Sequence, residues 1–339
     1  MSVFNPFLCA LFFLFSSKDG VLQSSLYGDA PYHEALVHPV MIAHPNPRRV
    51  AIIGGGEGAT LREVLKHNTI DEVVMVDIDN ELISLAKEYL PEWNDCSDMM
   101  GSDVKSCFDH PKARVYFSDA LMWFIDRFGD ADMNDIKTED KFDVIIMDAL
   151  DPNDPVDFVD ELYSNSFFIE SLYNGLTDKG VLVVQLGKSP SINSPADDVG
   201  SFKNRASVIE TLEALGVETM HSYDEAHSNF LAPWSYLAAF KDSKFKSNWY
   251  RNAAEIDLQL DQRIHKTKSG KRPLRYFDGP TMKNYQIPPK GFATIHCRQT
   301  NVPEECNGFF GFDPSLKGGI GSLATYIEGD DGARFLLVS

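Results

Sequence analysis

The run Arg49-Val50-Ala51-Ile52-Ile53-Gly54-Gly55-Gly56-Glu57-Gly58-Ala59-Thr60 constrains the fold more than any other part of this chain. A β-branched apolar stretch passes into a turn with four glycines, and Leu61-Arg62-Glu63-Val64-Leu65 follows with helical spacing. A strand, a glycine turn and a helix in that order form the element on which doubly wound α/β domains hold nucleoside-bearing ligands. Glycine lets the backbone approach a ligand closely and take up positive φ at little cost.

The rest of the chain keeps the same rhythm. Apolar runs at 49–53, 72–77, 114–118, 142–147, 180–185, 217–222 and 234–240 read as strands, and helical patterns at 58–67, 80–90, 119–127, 164–175 and 202–215 lie between most of them. Such alternation predicts a Rossmann-like, methyltransferase-type α/β fold with a mostly parallel sheet covered on both faces. Residues 1–45 read as a small β-rich lead-in, with a turn at Asp19-Gly20 and a strand over 21–27. The catalytic domain is expected over 46–245, and residues 246–339 read as an extension of unknown role. Residues 91–113 and 129–141 are polar and acidic, and read as solvated insertions. Phe4 to Phe15 is apolar, too short to span a bilayer and without the basic flank of a secretory signal. It reads as buried or irregular structure, a targeting segment or an inaccurate start.

Acids stand where ligands bind in such sheets, just beyond the carboxyl ends of the strands. Glu57 lies in the glycine turn, and Asp77 closes the second strand, where a carboxylate can accept hydrogen bonds from ribose hydroxyls. Asp119 follows the third strand, at the level of an adenine amino group, and Asp148 and Asp151 follow the fourth. Any one of them alone suits a helix cap; four successive strand ends carrying acids point to a site. The spacing Gly54-x-Gly56-x-x-Ala59 fits a dinucleotide fingerprint, but Glu57 would face the pyrophosphate. A sulfonium-bearing adenosyl ligand avoids that repulsion. An attacking amine must first lose a proton, and Asp148 is placed to accept it, with Asp151 to hold an amine beside it.

Bulk properties agree with a cationic substrate. The formal net charge is −19, from 31 basic and 50 acidic residues. That balance argues against a nucleic-acid partner and favours accumulation of cations in a negative cleft. Five scattered cysteines form no C-x-x-C, so neither a disulfide framework nor a zinc site is expected, and a reducing cytoplasm is the simplest compartment. No metal and no membrane association are expected.

Taken as an ordered set, several motifs resemble the polyamine aminopropyltransferases, the spermidine, spermine and thermospermine synthases. They are Asp19-Gly20-Val21-Leu22-Gln23-Ser24, Tyr32-His33-Glu34-Ala35-Leu36-Val37-His38-Pro39, His44-Pro45-Asn46-Pro47, Gly54-Gly55-Gly56-Glu57-Gly58, Asp77-Ile78-Asp79 and Asp148-Ala149-Leu150-Asp151-Pro152. The resemblance covers roughly residues 18 to 243. It implies decarboxylated S-adenosylmethionine as a co-substrate, with no bound cofactor. Gln23, Gly54, Gly56, Glu57, Asp77 and Asp119 would hold this donor. Asp148 would be the general base, Tyr32 its hydroxyl partner, and Asp151, His33, Gln185 and Trp234 would face the polyamine. Glu34 is expected to be structural, and a homodimer would follow the family habit.

Three departures from the family pattern bear on the acceptor and on assembly. Glu57 stands where many spermidine synthases have Asp. The segment His227-Ser228-Asn229-Phe230-Leu231-Ala232-Pro233-Trp234 lacks the Tyr-Pro-Ser-Gly pattern of putrescine-using enzymes. Both features look more like thermospermine synthases. The family's first β-hairpin has no match, and beyond 245 only Leu274-Arg275-Tyr276-Phe277-Asp278-Gly279 echoes the family. Two alternatives stay open: an S-adenosylmethionine methyltransferase on the same fold, and a polyamine-binding homologue without turnover.

Overall fold

The computed structural model describes residues 15–18, 21–129, 136–152, 157–189, 199–217, 219–230, 232–287, 324–328 and 334–338. The glycine–serine stretch 315–322, the Asp19-Gly20 turn and most of the apolar segment 4–15 lie outside them.

A short hairpin of β1 (Phe15–Lys18) and β2 (Val21–Ser25) leads into α1 (Asp29–Ala43). Then come β3 (Arg49–Gly54), α2 (Ala59–Leu65), β4 (Glu72–Asp77), α3 (Asn80–Tyr89), β5 (Ala113–Phe117), α4 (Ala120–Phe128) and β6 (Phe142–Asp148). The chain continues through α5 (Asp157–Ser164), α6 (Ser166–Gly175), β7 (Leu176–Lys188), α7 (Val199–Ala214), β8 (Thr219–Glu225) and β9 (Trp234–Phe240). Three further helices follow, α8 (Lys246–Trp249), α9 (Ala253–Arg263) and α10 (Gly279–Gln286), and then a separate hairpin of β10 (Ala324–Glu328) and β11 (Arg334–Val338).

One seven-stranded sheet runs in the order β5-β4-β3-β6-β7-β9-β8. Its first five strands are parallel, and β9 is antiparallel to both neighbours. Because side chains alternate across a strand, each central strand feeds two cores. Val50, Ile52, Val144, Ile146, Val181 and Val183 face α1, α2 and the helices after residue 245. Their neighbours Ala51, Ile53, Ile145, Met147, Leu182 and Val184 face α4 to α7. Two covered faces explain why these strands read as unbroken apolar runs rather than as alternating ones. The α/β expectation therefore holds, with every expected core strand in place.

The lead-in is β-rich only as far as Ser25; residues 29–43 form a helix, contrary to the sequence expectation. The reason is its environment. Leu36, Val37, Val40, Met41 and Ile42 are all fully buried, with His38 and Glu34 among them. A helix covered on all sides carries no apolar stripe, so it shows no 3.6-residue period to read.

Residues 91–113 are likewise not a solvated insertion. Trp93, Asn94 and Cys107 are buried, Trp93 Nε1 donates to Ser24 Oγ at 2.7 Å, and Phe108 lies against the glycine turn. Cys96 and Cys107 form a disulfide, against the expectation of none, which removes cysteine usage as an argument for a reducing compartment. The two cysteines stand eleven residues apart with no motif to mark them as a pair, and the fold of the loop brings them together. The segment after 245 packs too: Trp249, Ile256, Leu260, Phe277, Met282 and Tyr285 join the core against α1.

Reduction of this disulfide, or the Cys96→Ser/Cys107→Ser double substitution, is expected to lower the free energy of unfolding by about 2–3 kcal/mol, the loop-closure contribution of a short cross-link. Denaturant unfolding with and without dithiothreitol measures it; coincident curves would show that the bond does not form in solution.

Candidate active site

The site begins with strand register. Gly54 pairs with Asp148 across β3 and β6, so the glycine turn passes directly over the end of β6. A Cβ on Gly54, whose φ is +80°, would sit 2.3 Å from the Asp148 carbonyl oxygen; only glycine fits. Gly58, at φ +92°, is fixed from the other side, since its Cβ would meet the Phe108 ring at 2.7 Å and Asn94 Cβ at 2.8 Å. The turn is thus held between the base of the site and the disulfide-tied loop.

Asp148 is the centre of the cluster. Tyr32 Oη donates to its Oδ1 at 2.9 Å and Thr60 Oγ1 donates to its Oδ2 at 2.5 Å. The residue is half-buried. Burial pushes its carboxyl above the usual range and Glu57 adds to that, while His33 and the two hydroxyls pull the other way. Tyr32 is shifted upward, first by burial and then by the neighbouring Asp148 charge, so it stays a hydroxyl donor.

His33 sits between two acids. Its Nδ1 lies 3.0 Å from Asp29 Oδ1 and its Nε2 lies 3.5 Å from Glu57 Oε1. Burial works against its charge, yet the bond to Asp29 and the nearby Glu57 carboxylate raise its pKa to about 10. Asp29, fully enclosed, takes the Arg62 Nη2 at 3.0 and 3.1 Å on its two oxygens and pairs with Arg275 as well. Burial alone would raise its pKa; Arg62, His33 and Arg275 reverse this and hold it far below the carboxylate range. Glu34 accepts backbone N–H groups of Arg275, Tyr276 and Phe277 at 2.8, 2.8 and 2.6 Å, anchoring the late segment to α1.

Asp77 ends β4 and Asp119 follows β5, on neighbouring strands of the sheet. Asp77 Oδ1 accepts the Asp79 N–H at 2.8 Å, and a Cβ on Gly56 would approach Asp77 Oδ2 to 3.1 Å. Asp119 caps α4 by accepting the Leu121 N–H at 2.9 Å. Asp151 follows β6, where its charge is felt by the buried Arg205. Gln23 lies on β2, and its side chain falls outside the described residues.

Gln185, near the end of β7, is held by hydrogen bonds at both ends of its amide. Its Nε2 donates to the carbonyls of Ala149 and Leu150 at 2.9 and 2.8 Å, and its Oε1 accepts from Gly187 N at 2.9 Å and Trp234 Nε1 at 3.0 Å. Both ends of the amide are engaged, tying the loop after β6 to β9. Trp234 in turn packs on Phe230 with centroids 4.3 Å apart, and Tyr32 meets Phe230 at 5.7 Å and Tyr236 at 5.8 Å. An aromatic wall therefore stands beside the Tyr32–Asp148 pair. Sequence reading did not single out Asp29 or Thr60. Thr60 stands in the same glycine-turn run, but nothing local distinguishes it from any helix-start threonine.

Fold and site together present a seven-stranded α/β sheet with a carboxylate, bonded by two hydroxyls, at the end of β6. The spermine/spermidine synthase domain family matches residues 29–210. A polyamine aminopropyltransferase of Hyperthermus butylicus is 36% identical over 255 residues, 74% of this chain and 74% of that protein. One of Pyrobaculum aerophilum is 42% identical over 268 residues, 78% of this chain and 80% of that protein. In fold, the chain is similar to a spermidine synthase crystallised with the transition-state analogue AdoDATO (TM-score 0.59, 24% identity, 80% of this chain and 77% of that one). The chain belongs to the spermidine/spermine synthase family and is a polyamine aminopropyltransferase. The methyltransferase alternative and the homologue without turnover are set aside.

His33 carries a pH signature. Its folded pKa is raised, so its contribution to stability is fully present below its ordinary 6.5 and is lost as pH rises through about 10. In a histidine-selective NMR titration the His33 ring should stay charged through neutral pH and titrate near 10. Asp29→Asn should bring that midpoint down, and a wild-type midpoint near 6.5 would refute the pairing.

Proposed function

We propose that this enzyme transfers the aminopropyl group of decarboxylated S-adenosylmethionine to the triamine spermidine, giving a tetraamine of the thermospermine or spermine type. The donor is the one the family uses. The observation that carries the reading is Asp148, a half-buried carboxylate at the end of β6 with a hydroxyl on each oxygen. In the proposed mechanism Asp148 takes the proton from the substrate ammonium, freeing the nitrogen lone pair. The nitrogen then attacks the carbon bonded to the sulfonium; the C–N bond forms as the C–S bond breaks, and sulfur leaves as a neutral thioether. Because a sulfonium is already a good leaving group, positioning for in-line attack supplies most of the catalysis.

Asp77 is proposed to hold the ribose hydroxyls and Asp119 to lie near adenine, with Gln23, Gly54, Gly56 and Glu57 completing the donor side. Asp151 would anchor the amine, and Tyr32, His33 and Trp234 would line its channel. For Gln185 we propose a role in holding the Ala149–Leu150 loop. Choice of a triamine over putrescine is supported by the aromatic pair Phe230–Trp234, which offers a face to a charged, flexible chain. A homodimer in the cytoplasm is proposed from the family resemblance. Among the described residues no helix is long and apolar enough to cross a membrane.

Product chromatography with the decarboxylated donor and putrescine, spermidine or spermine tests the acceptor; a tetraamine from spermidine is expected, and spermidine from putrescine would overturn the triamine assignment. Asp148→Asn should lower kcat by about 100-fold or more, the scale for losing a general base, while titration with the thioether product shows binding retained. Near-wild-type turnover would remove Asp148 from that role.

A further inference from the structure

Thr60 is the second residue of α2, fully buried, with its Oγ1 hydrogen 2.5 Å donor-to-acceptor from Asp148 Oδ2. The other carboxylate oxygen takes Tyr32 Oη at 2.9 Å from the opposite side. A carboxylate with a single fixed hydrogen bond can still swing about its Cβ–Cγ bond. With one donor on each oxygen, the plane of the group is set by two elements that the sheet holds rigidly, α1 and α2. We infer that Thr60 is a positioning residue for aminopropyl transfer, fixing the orientation of the Asp148 carboxylate so that one remaining lone pair meets the incoming ammonium. The inference rests on Asp148 acting as the base.

Two further features favour this role over simple packing. Thr60 is sealed from solvent, so its hydroxyl has no water to satisfy it and depends on a protein partner. Its partner is also the acid proposed as the base, not a carbonyl of its own helix. A hydrogen bond to the ionised form lowers a carboxyl pKa, so Thr60 also keeps Asp148 competent as a base against the burial and the Glu57 charge that oppose ionisation. The titratable groups facing that carboxylate are Tyr32 and His33 on α1, Glu57 in the glycine turn and Tyr236 on β9.

Steady-state kinetics of Thr60→Val, Thr60→Ser and Asp148→Asn across pH test this. Valine keeps the shape and removes the hydroxyl. It should lower kcat about tenfold, with KM for both substrates within about twofold, as expected for a lost hydrogen bond to a charged group. The acid limb of kcat/KM should move to higher pH by about half a unit to one unit, since the base then holds its proton more tightly. Thr60→Ser, which retains the hydroxyl, should return both quantities close to wild type. A Thr60→Val enzyme with wild-type kcat and pH profile overturns the inference. So does a slowed one whose acid limb is unmoved and which serine does not rescue, because that pattern is a packing defect. If valine unfolds the protein, the serine and alanine variants carry the comparison: a serine enzyme near wild type beside a slow, shifted alanine enzyme supports it, and equal behaviour overturns it. Turnover by Asp148→Asn at the wild-type rate would sink the base assignment itself, whereas an inactive Asp148→Asn beside an unaffected Thr60→Val sinks only the role of Thr60.

Discussion

The close passage of the glycine turn over the end of β6 is the contact on which the rest of the site depends. Gly54 and Asp148 are register partners, and their backbones lie so near that no side chain fits between them. This approach puts the acid of β6 within reach of the first turn of α2, so Thr60 can touch it. It also puts Glu57 beside His33 on α1. Three elements distant in sequence thereby share one small volume, and none of them could be moved without reopening the others.

Gathering acids in that volume has an electrostatic cost. Asp29, Glu57 and Asp148 would repel one another if nothing intervened, and burial magnifies the effect. The protein answers with His33 held as a cation between Asp29 and Glu57, and with Arg62 and Arg275 on Asp29. The compensation is unequal. Asp29 is fully matched by its cations, whereas Asp148 is shared among neutral hydroxyls and the more distant His33 charge. That imbalance suits the proposed role of Asp148, in which it accepts a proton from a polyammonium substrate.

How far the sequence could be read follows from what each signal depends on. Strands β3, β4, β6, β7 and β9 were legible because their apolar runs and glycine punctuation are local. The places of Glu57, Asp77, Asp119, Asp148 and Asp151, at or just beyond the ends of β3 to β6, were legible because they follow from the strand runs. Helix α1 was not, since burial on every side erases its period. The Cys96–Cys107 pair, the contact of Phe108 with Gly58 and the Asp29–Arg62 pair were not, because each joins residues that only the tertiary fold brings together. Gln185 was singled out from its place at a strand end; that its amide bonds the Ala149 and Leu150 carbonyls could not be read there. Position at a strand end identifies a neighbourhood, and the partners taken there decide the role.

The segment after residue 245 shows the same point from the other direction. Its sequence has no βα rhythm, yet Arg275 reaches Asp29, and the backbone N–H groups of 275–277 converge on the Glu34 carboxylate. Tyr276 and Tyr285 both donate to Glu225 at the far end of β8. So α1, which carries Tyr32 and His33, is pinned on one side by α2 and on the other by this late segment. A general base is only as well oriented as the groups that bond it. Through Tyr32, Asp148 is linked to a helix whose own anchors, at residues 275–277, lie more than two hundred residues further along the chain from α1.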